Sequence, residues 1–117
     1  MTATKLAVAR VAREVACGVP GVAGLYAGVL GEFSTYGDGE RIRGVQVRSG
    51  ENAAIEEVEV RVTLDFDHLV ASSFDTVQQL GARVQVAVYD AVAVAVSRPL
   101  RVHIRVADVV RTGQGAG

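Results

Sequence analysis

The sequence has no tryptophan, two prolines, one cysteine, and only three tyrosines and three phenylalanines in 117 residues. Each shortage excludes something. A lone Cys17 excludes an intrachain disulfide and fits a reducing compartment. With so few aromatic rings, the core must be built from Val, Ala, Leu and Ile, a composition that favours strands without excluding buried helices. Excess charge of either sign is also lacking. Twelve basic and 13 acidic residues leave a net charge of -1, so no global field draws the chain to nucleic acid or anionic lipid. No apolar run approaches the roughly 20 residues of a membrane-spanning helix, and Ala91 to Val96 falls far short. The start of the chain carries Lys5, Arg10, Arg13 and Glu14 without a long apolar region and cleavage site, so no secretory leader is expected. The expectation is a cytoplasmic chain that reaches a membrane only through a partner.

The length suits one domain, expected over residues 1–112, with 113–117 as a flexible Gly-rich tail. Thr2 or Thr4 is placed to cap a first helix. Leu6, Val8, Val11, Ala12, Val15 and Ala16 follow at helical spacing. Gly18 and Pro20 supply the stop. Small apolar residues from Val22 to Leu30 predict a short strand, Gly31 to Glu40 a loop or wide hairpin, and Ile42 to Val47 a second strand. The strongest pattern comes next. Val58, Val60, Val62, Leu64 and Phe66 alternate with Glu57, Glu59, Arg61, Thr63 and Asp65, which predicts a strand with one buried and one wet face. Ser72 and Asp75 fit a capping box. Phe74, Val77, Gly81, Val84, Val88, Ala91 and Ala95 then recur at steps of three and four, and Pro99 ends that helix. Val102, Ile104 and Val106 alternate with Arg101, His103 and Arg105 in a last strand.

The expected order is α-β-β-β-α-β. Strands with one charged face leave one face for helices, so the class is α+β: a two-layer sandwich, a mixed sheet of three or four strands with both helices on one side. If the alternating strand and the last one share a sheet, a right-handed crossover is expected between them. Opposite charges on these two strands should pair across the open face, each pair worth a few tenths of a kcal/mol.

Laid in this order, three stretches resemble the alkaline shock protein family, envelope stress proteins of Gram-positive bacteria. The first is Val11 to Ala16 leading into Val19-Pro20-Gly21-Val22, which is similar to that family's helix and turn. The second is Gly44 to Val47 with the Val58 to Phe66 strand. The third is the Val77 to Ala95 helix with the Leu100 to Val109 strand. The resemblance spans roughly residues 5 to 110. It implies a non-enzymatic interaction or scaffold protein with protein partners, among them a membrane-anchored protein of the same family. It implies a position in the cytoplasm or at the inner membrane surface, and supplies no catalytic, metal or cofactor residue.

The candidate chemistry is thin. Asp65, Asp67 and His68 have metal-ligating side chains, but strand alternation would send His68 away from the aspartates, so a solvated strand end is expected. His103 lies between Arg101 and Arg105 with no nucleophile nearby in the pattern, which fits a surface ion pair better than a base. Cys17 ends a helix, where the dipole disfavours a thiolate, so a packed structural cysteine is expected. Gly18 to Gly24 lacks the spacing and the lysine of a phosphate-binding loop. No catalytic, metal or cofactor site is expected. A small RNA- or nucleotide-binding module is the alternative class; it would need a basic G-x-x-G clamp or aromatics on the sheet face, and Phe66 is expected to point into the core.

The long helix carries one further feature. Ala82, Val86, Tyr89 and Ala93 form a second apolar stripe on another side of the helix from the core stripe. Either the first helix packs on it, or it contacts another protein or another copy of the chain.

Overall fold

The computed structural model describes residues 4–50, 55–72, 76–96 and 100–111. Helix α1 runs Lys5–Cys17. The Thr4 hydroxyl accepts the Ala7 N–H at 3.1 Å, supplying one of the caps that a helix start needs. Its buried face is Leu6, Val8, Ala9, Ala12 and Ala16, whereas Val11, expected in that face, is 37% exposed. The small alanines let the helix sit close on the sheet.

Strand β1 is Val22–Leu25. The following stretch, read as a loop or wide hairpin, is a tight one: β2 (Ser34–Gly37) pairs antiparallel with β3 (Glu40–Arg43). Asp38 and Gly39 join them with φ of 49° and 77°, the doubly left-handed geometry of a two-residue hairpin turn. Gly44 then splits the single strand expected around Ile42 to Val47. Its φ is +83°, and a Cβ there would lie 2.5 Å from the Leu25 Cβ. Strand β4 (Val45–Ser49) starts beyond this kink.

Strand β5 (Ile55–Asp65) is the axis of the sheet. It pairs antiparallel with β4 along Ile55 to Val60 and with β1 along Val62 to Leu64, so β4 and β1 lie end to end on one edge. On the other edge it pairs in parallel with β6 (Arg101–Val110), with one bulge after Val62. Between β5 and β6 come a six-residue helix, α2 (Phe66–Ala71), and the long helix α3 (Val77–Ala93).

The short helix is a correction to the sequence reading. The Asp65 carboxylate accepts the Asp67 N–H and caps α2, which ends the alternation one residue early. Phe66 is therefore 36% exposed, with the Arg111 guanidinium over its ring, instead of buried. The capping box of α3 is Thr76 with Gln79, each donating to and accepting from the other's side. The expected box partner Asp75, together with Phe74, Pro99 and the 113–117 tail, lies outside the described residues.

Val58, Val60, Val62 and Leu64 of β5 form one buried cluster with Leu6, Ala9 and Ala12 of α1 and with Leu80, Val84, Val88 and Val92 of α3. Both long helices thus share one face of the four-stranded mixed sheet, as expected of a two-layer α+β sandwich. The β2–β3 hairpin forms a second small sheet and sends Ile42 into the same core.

Candidate functional site

Three surfaces carry exposed chemistry: the outer side of α3, the channel between α3 and β6, and the open face of the sheet.

The core stripe of α3 is Leu80, Val84, Val88 and Val92. At 3.6 residues per turn, the stripe of Ala82, Val86, Tyr89 and Ala93 falls on nearly the opposite side of the helix. The structure leaves three of its four residues exposed. Val86 is 57% exposed and Tyr89 43%, and Ala82 is also exposed. Ala93 is half-buried against the core. The internal explanation therefore reaches Ala93 alone, and Ala82, Val86 and Tyr89 stay exposed.

The channel lies one helical step away. A groove of about 580 Å³ separates α3 from the outer edge of β6. Its helix wall includes Val77, Gly81, Ala82 and Gln85, and its strand wall runs from Val102 to Val106. The Gln85 amide donates to the Val102 carbonyl at 3.0 Å, a link from helix to strand. A Cβ built at Gly81 meets nothing within 4 Å, so no internal neighbour demands the glycine. Glycine inside a helix costs about 0.5–1 kcal/mol relative to alanine. Its presence here leaves the groove open at that cost.

The open sheet face is an ion-pair network around β5. Glu59 is buried. Its carboxylate lies 3.4 Å from Arg61 Nε, 3.4 Å from Arg105 Nε and 3.8 Å from Arg48 Nη2. Glu57 pairs with Arg48 at 2.8 Å and approaches His103 Nε2 at 3.8 Å. The expected pairing between β5 and β6 is therefore present, with β4 joining it through Arg48. A buried carboxylate needs such partners, and removing them would leave an uncompensated charge. His103 is a member of this network, as the sequence reading held. Arg61 also lies 3.8 Å above the ring of Phe33, which is 4% exposed and so closed to base stacking.

The remaining candidates do not converge. Among the described residues, no group of three His, Cys, Asp or Glu side chains is placed to hold a metal ion. Asp65 serves as the α2 cap, and the His68 ring packs so close to Gly21 that a Cβ there would meet it at 2.7 Å. This contact, shared with Leu80, gives the Pro20-Gly21 turn its physical reason. Cys17 is a surface thiol, which corrects the expectation of a packed one. Local desolvation pushes its pKa above the ordinary thiol value, partly countered by Arg13, so the thiolate is suppressed at neutral pH. Among the described residues, no helix is long and apolar enough to cross a membrane.

No protein-family model matches the chain, and no curated protein does. Solved structures do. A tryptophan-to-alanine variant of the MamM CTD superimposes with a TM-score of 0.53 at 20% identity, covering 94% of this chain and 85% of that one. The copper form of the MamM CTD gives 0.51 at 20% identity, covering 93% and 89%. At this identity the likeness is one of fold.

Proposed function

We infer that this chain is a non-catalytic protein-interaction module. The observation that carries the reading is the uncovered apolar stripe at Ala82, Val86 and Tyr89, on a rigid helix whose other side is locked into the core. Exposed valine and tyrosine aligned on a rigid helix offer a surface on which a partner can dock. The MamM CTD likeness supports a domain of this shape, and the alkaline-shock resemblance supports the finer reading. In that reading the chain is an envelope stress scaffold, cytoplasmic, held at the inner membrane surface by a membrane-anchored partner of its own family, or assembled into a homo-oligomer.

The test is co-purification of a tagged full chain at native expression, from membrane and soluble fractions separately, beside Val86→Asp. Recovery of one integral membrane protein by the parent and not by the variant supports the membrane-linked scaffold. Recovery of further copies of the chain alone supports a homo-oligomer. Identical recovery by parent and variant removes the stripe from the account. The second reading, an RNA- or nucleotide-binding module, draws on the arginines of the open face. It predicts an RNA affinity that falls steeply with salt, and the covered Phe33 ring weighs against it.

A further inference from the structure

The groove between α3 and β6 has three features that fit one occupant. The first is a free strand edge. Strand β6 is ten residues long and, among the described residues, pairs only with β5. Alternate N–H and C=O groups of a strand paired on one side point away from its neighbour and are open to another strand. Gln85 already donates to the Val102 carbonyl from the α3 side, so the β6 backbone is within reach of a donor lying in the groove. The second feature is unfilled space where apolar side chains stand beside polar ones, Gln78 and Gln85 among them. Val77, Ala82, Ile104 and Val106 line the groove, and the position above Gly81 is open. The third is charge. Arg101, His103 and Arg105 project on the other side of the same strand. Glu59 is shared among three arginines, and Arg101 has no ion pair among the described residues. At this end of the face four arginines (48, 61, 101 and 105) thus stand against Glu57 and Glu59, while Asp65 and Asp108 lie toward its other end.

A strand laid against β6 would alternate between these two environments. Every second side chain would enter the groove over Gly81, and the others would lie beside Arg101, His103 and Arg105. We propose that the α3–β6 groove binds an extended protein segment of alternating apolar and acidic residues, added to the sheet as a fifth strand. This rests on the reading of the chain as a protein-interaction module and gives that reading a second docking site with its own chemistry. A second copy of β6 fits less well. Antiparallel self-pairing centred on Ile104 sets His103 against Arg105, and basic side chains directly opposite each other repel.

The probe is a fluorophore-labelled decapeptide alternating glutamate and valine, with blocked ends, titrated against the full chain by anisotropy. A lysine–valine decapeptide is the control. The glutamate peptide is expected to bind about tenfold tighter or more, with the difference shrinking as salt is raised. Backbone amides of β6 should slow in hydrogen exchange when it binds. Gly81→Leu, which fills the groove, should weaken binding by about tenfold or more while thermal melting stays level or rises. Arg101→Glu should narrow the preference for the acidic peptide, and serves as the second variant should Gly81→Leu fail to fold. Equal affinity for the two peptides overturns the proposal, as does unchanged binding by Gly81→Leu or protection away from β6. If no peptide binds and β6 protection instead rises with protein concentration alongside dimerisation in sedimentation, a second copy occupies the edge. The peptide proposal then fails while the interaction-module reading stands. If peptides, self-association and the co-purified partner are all absent, both fail.

Discussion

The two edges of the sheet are built differently. The β4–β1 edge is made of short strands, broken at Gly44, and guarded by the β2–β3 hairpin, whose Thr35 hydroxyl donates to the Val45 carbonyl at 2.6 Å. These are the means by which proteins keep a sheet from recruiting strangers. The β6 edge is one long strand beside a groove, its backbone reached by the Gln85 amide at Val102 and the Asp108 carboxylate at Val109. A hairpin guards the first edge; the second has only its bulge and its charged residues, and this contrast is what the proposed fifth strand rests on. The stripe on α3 lies next to the open edge and shares Ala82 with the groove wall, so the two exposed apolar features belong to one flank of the molecule.

The largest effect should come from breaking the closed edge. Gly44→Ala forces a side chain into a left-handed conformation and against Leu25, and should lower unfolding free energy by about 2 kcal/mol or more in urea titration. Thr35→Val removes the hydroxyl that satisfies Val45, and should cost about 1 kcal/mol by the same measurement, with faster amide exchange confined to β4 and the hairpin. On the open side the sign reverses. Gly81→Ala should stabilise by about 0.5–1 kcal/mol, because the methyl meets no neighbour and the helix gains. Val86→Asp should change stability by no more than about 0.5 kcal/mol, since the side chain is 57% exposed, yet abolish partner binding or self-association. A Val86→Asp protein that fails to fold would place the stripe in the core after all. One that folds and associates normally would leave the stripe with neither role.

Much of the architecture is legible in the sequence, for reasons tied to particular residues. The alternation around Val58 to Leu64 is unambiguous because one face is buried and the other carries charge. Thr4 and Gly18 bracket α1 as cap chemistry requires. The hairpin is legible only as one of two options, a loop or a wide hairpin, because its strands carry Tyr36, Glu40 and Arg41 at exposed positions, although Asp38-Gly39 is a strong short-range signal for a tight one. Phe66 is misplaced because a period-two pattern cannot show that Asp65 turns inward to cap a helix. The α3 stripe is visible as helical spacing, but whether α1 covers it depends on how the helices meet. The groove is not legible at all. The strand–helix–strand order does suggest the parallel crossover from β5 to β6, but no local pattern records that β6 takes an outer edge of the sheet.

That parallel pairing also orders assembly in time. Strands β4 and β5 are neighbours in sequence and can meet soon after both exist, whereas β6 must wait for α2 and α3 to be made and to cross the sheet. On a ribosome, the finished β5 therefore stands with one side unpaired until residues 101–110 emerge. The slowest part of the fold to arrive is the strand that ends up at the open border of the molecule. A nascent chain stalled before Arg101 would expose β5 itself to the same kind of strand proposed to dock at β6.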